Sequence, residues 1–523
     1  MKSVMQHSFA NVPNVEIPRS SFDRSFAHKT TFDAGYLVPI LLDEALPGDS
    51  VNYSIDAFAR LATPINPIMD NMKLDYHFWS VPLRTIWDNF VKMMGEQENP
   101  SDSIDYVTPK LAIAAPPASE SLNDYFGLPT TAISAPHSLF HRAYARIWNQ
   151  WYRDENLQDS VPEPHDDGPD SDSDFELLRR GKRKDYFTSC LPWPQKQDSP
   201  VLLPLGERAD VKGIGVANNT GYVGGGFPIY QTGETGTVLY DPAKPIDTAG
   251  GGIGYIEGDG TGFPNIYADL STATAASINE LRQAFQVQRL LERDARGGTR
   301  YTELVRSHFG VTSPDARLQR PEYLGGGTAN LIISPIAQTS QTDTTPQANL
   351  SAIGTSSASG IGFTKSFTEH CVIIGLVSAR ADLTYQQGLP RMFTRSSRYD
   401  FFWPTLAHLG EQAVLNSEIY FQAAAADDEV FGYQERFAEY RFKNSMITGK
   451  FRSTDAATLD SWHLSQEFTS LPLLNDTFIQ DDPPVDRVIA VPAEPHFIFD
   501  SFQSMRCARP MPLYGVPGLI DHF

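Results

Sequence analysis

An antiparallel β-sandwich interrupted by long insertions is the fold that this 523-residue sequence predicts. Three observations carry it. Near both ends of the chain, apolar and polar residues alternate with a period of two, as half-buried strands require. The middle changes texture, to helical spacing and glycine-rich stretches. No internal repeat of roughly 20–50 residues is visible, which sets solenoids and propellers aside. At about 150 residues per domain the length allows three or four domains, but all-β units often run longer as one.

Residues 1–30 read as an N-terminal arm, and core strands are expected in 31–100 and 365–470. Pro47, Gly48 and Asp49 signal a turn; then Val51, Tyr53, Ile55, Ala57, Ala59 and Leu61 alternate with Asn52, Ser54, Asp56 and Arg60. Pro64 and Pro67 break that run, and Met72, Leu74, Tyr76 and Phe78 begin another. Residues 101–197 and 278–364 read as helical and loop insertions. In the first, Ser138 to Arg153 sets Phe140, Ala143, Ile147 and Trp151 at helical spacing, and an acidic stretch with prolines follows from Asp154 to Glu176. Glycines gather between Gly206 and Gly262 and predict long loops with short strands. The clearest helix runs from Ser277 to Arg296. Ser277 and Glu280 make a capping box, Leu281, Ala284, Phe285 and Leu291 an apolar face, and Gly297-Gly298 a stop.

Residues 325–362, rich in Gly, Ser and Thr, predict a surface excursion. Strand texture returns from Cys371 to Tyr385, and Ser417 to Gln422 and Phe431 to Phe442 read as further strands. The tail, 471–523, is Pro-rich and aromatic from Asp482 and predicts an extended segment packed along a surface. One sandwich would then combine N- and C-terminal strands.

Composition narrows the function classes. Lys plus Arg number 42 against 63 Asp plus Glu, a formal charge of −21, with 20% charged and 11% aromatic residues. Intrinsic disorder needs denser charge and fewer aromatics, and gripping nucleic acid by bulk charge needs a basic chain. The three cysteines, Cys190, Cys371 and Cys507, are far apart and read as buried thiols of a reducing compartment. The N-terminus lacks an apolar segment of signal-peptide length. The longest apolar run, Cys371 to Val377, is too short to span a bilayer. A soluble chain made inside the cell, without membrane insertion, is the expectation.

Catalytic motifs are missing. There is no His-Glu-x-x-His, no Gly-x-Ser-x-Gly, no phosphate loop and no Gly-x-Gly-x-x-Gly. Asp170, Asp172 and Asp174 alternate as calcium-loop ligands do, but Phe175 and Gly181 stand where the loop needs its glycine and its closing Glu. A solvated acidic loop or a weak cation site remain the two readings. No cofactor is expected, and divalent cations are the only candidate ions. The densest basic stretch is Arg179, Arg180, Lys182, Arg183 and Lys184. It suits phosphate, or an ion-paired interface with the acidic stretch before it. Arg289, Arg293, Arg296 and Arg300 form a second cluster that reads as intersubunit pairs. Arg19, Arg24, His28 and Lys29 interleave with Phe22 and Phe26; that pattern suits stacking on single-stranded bases, or an arm lying on a neighbouring subunit.

Several long strings then add a resemblance. SFDRSFAHKTTFDAGYLVPILLDEALPGDS, FARLATPINPIMDNM, LLRRGKRKDYFTSCLPWPQ, RYDFFWPTLAHLGEQAVLN and ERFAEYRFKNSMITGKFRS lie in order among blocks running from about Ser20 to Phe468. Together they resemble the major capsid proteins of gokushoviruses, small tailless single-stranded DNA bacteriophages of the microvirus family. The departures fall at 154–175 and 198–277. The resemblance implies a mainly β fold, an eight-stranded antiparallel jelly roll with long loop and helical insertions, and no enzyme activity. It implies sixty copies closing into a T=1 icosahedral virion shell around a circular single-stranded DNA genome, assembled in the bacterial cytoplasm. A small basic DNA-packaging protein, an internal scaffolding protein and a DNA pilot protein are the implied companions. Residues 198–277 take the place of the family's threefold protrusion, so Gly224, Gly225, Gly226, Phe227 and Tyr230 become candidates for contact with a host cell-surface receptor.

Net acidity poses a puzzle for a shell around a polyanion. A basic packaging protein, with divalent cations, is the expected neutraliser, leaving this chain only scattered cationic and aromatic contacts. Two alternatives belong to other classes. A lectin-like sandwich could stack sugars on Trp79, Trp87, Trp193 or Trp403, and a glycoside hydrolase would need two carboxylates in a cleft.

Overall fold

In the computed structural model, residues 18–196, 278–312 and 319–514 are described, with short strand segments between 211 and 268. Eight strands form a nest of antiparallel pairs. β2 (Phe26–Phe32) pairs with β19 (Phe497–Arg509), and β3 (Val38–Ala45) with β16 (Cys371–Ala381). Inside these, β4 (Ser50–Leu61) pairs with β15 (Leu350–Ser366), and β5 (Met72–Pro82) with β13 (Glu322–Asn330). First meets last at each level. Contacts of β19 with β4 and of β16 with β5 join the pairs into two sheets, ordered β2-β19-β4-β15 and β3-β16-β5-β13. β1 (Ser20–Asp23) extends the first sheet on β19, and β14 (Ile332–Ala337) flanks β15. A long hairpin wrapped on itself in this order is a jelly roll.

The alternation in β4 does what the sequence predicts: Val51, Tyr53, Ile55, Ala57, Ala59 and Leu61 all face the sandwich interior. β19 supplies Phe497, Phe499, Met505 and Cys507 to the same core. The Tyr53 ring meets Phe78 edge-on at 4.9 Å and stacks on Phe363 at 5.3 Å. Its hydroxyl donates to Gln503 Oε1 at 2.7 Å, and Gln503 Nε2 donates to the Ile40 carbonyl at 2.8 Å, so the buried polar groups are satisfied.

β5 and β16 are buried on both faces, which explains their continuous apolar runs. Their outer face is covered by residues 83–194, the first part of a long excursion between β5 and β13. It carries α1 (Phe90–Met93), α2 (Leu122–Tyr125), α3 (Leu139–Ile147) and a continuation of α3 to Tyr152. Trp87, Ile147 and Trp148 pack there against Trp79, Val81 and Ile374 in a second core. β6 (Leu111–Ala112) and β7 (Asp170–Ser171) add a short parallel pair. A second excursion, residues 382–496, joins β16 to β19 and holds a hairpin of β17 (Glu411–Leu415) and β18 (Val430–Glu435). It meets the first excursion in a third apolar cluster with Tyr186, Phe187, Ile419 and Phe431.

Residues 195–296 form a separate compact unit. In it β8 (Val211–Lys212) pairs with β12 (Tyr267–Ala268), and β10 (Ile229–Gln231) lies between β9 (Ile214–Val216) and β11 (Thr237–Val238). The helix predicted from Ser277 is α4 (Ile278–Gly297). Ser277 lies outside the described residues, and Phe285 is exposed rather than part of an apolar face. α5 (Tyr301–Phe309) follows in the main unit.

Four expectations change. Residues 325–362, expected on the surface, supply β13, β14 and β15 to the sandwich. Their small residues fit where backbones crowd: a Cβ on Gly326 would stand 2.2 Å from the Tyr76 carbonyl oxygen, and one on Gly362 1.9 Å from that of Tyr53. The 471–523 tail contains β19, a central strand paired on both edges, because its alternation seats one face in the core. The 1–30 arm contributes β1 and part of β2 to that sheet. Within 365–470, Ser417 to Gln422 begins as a short helix, Asn416–Ile419, and the strand from Phe431 stops at Glu435, where Phe437 turns left-handed at φ 63°. α3 also differs in detail: it is buried nearly all round, with Leu139, His141, Arg142 and Tyr144 inside and Trp151 exposed.

Candidate interaction surfaces

The basic stretch 179–184 works as a girder between the two excursions and the sheet. Arg180 Nη1 lies 2.7 Å from Asp75 Oδ2 on β5, and Arg380 Nη2 on β16 reaches the same oxygen at 2.7 Å. Thr328 Oγ1 on β13 donates to Asp75 Oδ1 at 2.6 Å. Burial works to raise the Asp75 pKa, but the Thr328 hydrogen bond and then the two guanidiniums outweigh it and hold it below the usual carboxylate range. Arg179 pairs with Asp482 at 2.8 Å and lies over the Tyr36 ring; Arg183 pairs with Asp382 at 3.2 Å, and Lys184 with Asp154. Lys182 is buried, donates to Gln466 Oε1 at 2.9 Å and sits 4.5 Å above the Phe478 ring. Burial pushes its pKa down to about 8 and that of Asp481 up to about 6. These partners lie mostly on the second excursion and β5, rather than in the acidic stretch just upstream.

That acidic stretch is a set of clamps. Arg142, wholly buried in α3, makes a two-point contact with Asp170, Nε to Oδ2 and Nη2 to Oδ1 both at 2.7 Å, and its Nη1 donates to the Asp166 carbonyl at 2.9 Å. Glu163 pairs with Arg146, Glu155 with Arg300, and Asp167 accepts from Trp87 Nε1 at 2.7 Å. Asp172 accepts from Asn123 Nδ2 at 2.6 Å. Asp170 and Asp172 thus turn to different partners, and among the described residues no group of three His, Cys, Asp or Glu could hold a metal ion.

In the N-terminal arm, Arg24 makes a two-point contact with Asp43 at 2.5 and 2.8 Å, Lys29 pairs with Asp500 at 2.9 Å, and Arg19 donates to the Gly48 carbonyl. Trp79 and Trp87 are core residues, so two of the four tryptophans weighed as sugar platforms are covered. Gly224, Gly225, Gly226 and Phe227 lie outside the described residues, and Tyr230 sits on β10 opposite Gly215 and Thr237. Cys190, Cys371 and Cys507 are buried and none is in a disulfide. No helix among the described residues is long and apolar enough to cross a membrane.

Among the described residues of the main unit, two exposed apolar surfaces stand out on the sheet and the second excursion. On the outer face of the β19–β4 sheet, Phe58, Ile498 and Phe502 are exposed, with Ile332 and Ile336 of β14. The second is on the second excursion, where Phe393, Tyr399, Phe401, Phe402 and Trp403 are all exposed. Only Trp403 stood out in the sequence. The arginine and aromatic alternation of RMFTRSSRYDFFW was the signal available. Contiguous exposed apolar surface of this kind marks an interaction face.

A jelly-roll subunit that has its own core and still exposes apolar patches on one sheet and on the second excursion defines a structural building block that mates with other surfaces. The chain belongs to the Capsid protein (F protein) family of phages, whose model matches residues 10–519. It is 48% identical to capsid protein VP1 of Bdellovibrio phage phiMH2K over 99% of this chain and 98% of that one. To capsid protein VP1 of Chlamydia phage 1 it is 42% identical, over 99% and 98% of the two chains, and to that of Spiroplasma virus 4 it is 36% identical, over 98% and 97%. It is a virion component and a structural protein, not an enzyme.

Proposed function

We propose that sixty copies of this capsid protein close into a T=1 icosahedral shell around a circular single-stranded DNA genome. The exposed aromatic faces carry the reading. The sandwich and both excursions already have their own cores, so the remaining apolar surface is there for neighbours or cargo. Closure needs heterologous patches whose rotations return on themselves. The 198–277 unit serves as the threefold protrusion that meets the host receptor, an arrangement that puts recognition on loops held by a rigid scaffold. A small basic packaging protein, with divalent cations, balances the genome's charge inside a shell of −21 per subunit, and scaffolding and pilot proteins act during assembly in the bacterial cytoplasm. Cryo-electron microscopy of particles purified from infected cells tests this. Sixty equivalent subunits with density for 198–277 at the threefold axes are expected; an open lattice, or that segment buried at another axis, overturns it.

A further inference from the structure

The second excursion carries a face whose chemistry differs from the rest of the chain. Its segments 391–403 and 436–452 hold eight Arg or Lys (Arg391, Arg395, Arg398, Arg436, Arg441, Lys443, Lys450, Arg452) against two carboxylates, Asp400 and Glu439, in a protein with 42 basic and 63 acidic residues overall. The fold brings the two segments together. Arg395 pairs with Glu439 at 3.4 Å and lies 4.3 Å over the Tyr440 ring, while Phe402 packs edge-on against Phe437 at 5.3 Å. Arg436 donates to the Tyr399 carbonyl at 2.9 Å.

Several of these cations are not neutralised. Arg391, Arg395 and Arg441 pair with Glu418, Glu439 and Glu435. Among the described residues, Arg398, Lys443, Lys450 and Arg452 have no carboxylate partner, and all four are exposed. The Arg398 guanidinium lies 5.2 Å over the Trp403 ring, and Arg452 donates to the Gln386 carbonyl at 2.7 Å. Between the segments opens a cavity of about 330 Å³. Its lining includes the rings of Tyr186, Tyr385, Phe393 and Phe442 and two ion pairs, Arg391 with Glu418 and Arg395 with Glu439, while Lys443 and Arg452 line it without a carboxylate partner among the described residues. Rings with uncompensated cations beside them match a single strand, whose bases present π-faces and whose backbone presents phosphates. A neighbouring copy of an acidic chain is also charge-complementary and exposes rings of its own; a single strand is favoured because it presents a phosphate and a base at every nucleotide, and scoring shell formation separates the two.

We propose that this face is a single-stranded DNA contact site, with Phe393 and Trp403 stacking on bases, the aromatic cavity admitting one base, and Arg398, Lys443 and Arg452 meeting phosphates. The inference rests on the capsid reading above and gives the genome a place on the subunit.

The test uses the unassembled full-length protein and a fluorescent oligothymidylate in a salt series, with shell formation beside the phage companions scored in parallel. Phe393→Ala should weaken binding roughly tenfold and leave the salt slope unchanged, because stacking carries no charge. Lys443→Gln with Arg452→Gln should flatten the slope of log affinity against log salt by about 1.4, the release expected for two single-strand phosphate contacts. Lys92→Gln, an exposed cation on α1, is the control and should change neither beyond one lost nonspecific contact. If Phe393→Ala and the double variant bind as the wild type does while shells still form, the inference fails and the capsid reading stands. It fails equally if the variants keep DNA affinity but no longer form shells, since the face is then a subunit interface. A wild-type chain that forms no shells beside its companions sinks the capsid reading instead.

Discussion

The two excursions of this jelly roll use the same residue types for opposite ends. The first, over residues 83–194, turns most of its aromatics and the Arg142–Asp170 pair inward. Trp87 and Trp148 fill the core outside β5 and β16, and Arg142 is sealed against Asp170. The second, 382–496, turns them outward, with Phe393, Tyr399, Phe401, Phe402 and Trp403 exposed and arginines lying over rings. Composition therefore says little about role. Whether a cation meets a buried carboxylate or an exposed ring decides whether a segment serves the fold or a partner.

The sharpest way to break that contrast is to remove one half of the buried pair. Arg142→Ala should cost about 3–5 kcal/mol, since Asp170 is left buried without its counter-charge. Urea midpoints of the unassembled chain measure it, and Arg142→Met with Asp170→Leu should recover most of the loss. A comparable gap is expected between two tryptophans. Trp87→Ala, at 0% exposure, should lose about 3–5 kcal/mol. Trp403→Ala, at 43% exposure, should stay within about 0.5 kcal/mol in the same titration. Equal losses would mean that the second excursion is as structural as the first.

Acid should act on the inward-facing region. Burial, the largest cause in each case, pushes His141 down to about 3 and His77 down to about 4. His141 Nε2 donates to Asn123 Oδ1 at 2.7 Å, while its Nδ1 has no hydrogen-bond partner, so protonation would bury an unpaired donor. Both folded pKa values lie below the unfolded value near 6.5. Stability is therefore complete above pH 6.5 and falls as pH drops through the window toward 4 and 3. Between pH 6.5 and 5 the buried His141 should cost roughly 2 kcal/mol. Chemical denaturation at the two pH values should show it, and His141→Gln should flatten the dependence. The smallest effect is expected on the outward side: Arg441→Ala, which removes an exposed pair with Glu435, should change stability by less than about 1 kcal/mol.

The sandwich was legible where large apolar residues marked the buried face. The β4 alternation from Val51 to Leu61 places every inward residue correctly, and the Cys371 run marks a strand covered on both faces. Small residues hid the rest. In β15 the buried residues Ala352, Gly354, Ser356 and Ala358 are all small, a Cβ on Gly354 would stand 2.9 Å from Leu61 Cβ, and such a string reads as loop. β19 was misjudged for a different reason: prolines just before it, from Pro483 to Pro495, gave its alternating Phe497, Phe499 and Met505 the look of a tail. The candidate sites were less legible still. Arg179 to Lys184 suited phosphate or ion pairs with the acidic stretch just upstream, but their partners Asp75, Asp382 and Asp482 are distant in sequence, and only the fold brings them near.

Mass measurement by sedimentation velocity, on the protein produced with its phage companions, tests the central claim most directly. The claim requires a sharp boundary near ~3.5 MDa, sixty copies of the 58.0 kDa chain before any DNA is added. A lone boundary at the mass of one or two chains, under the same conditions, would contradict it.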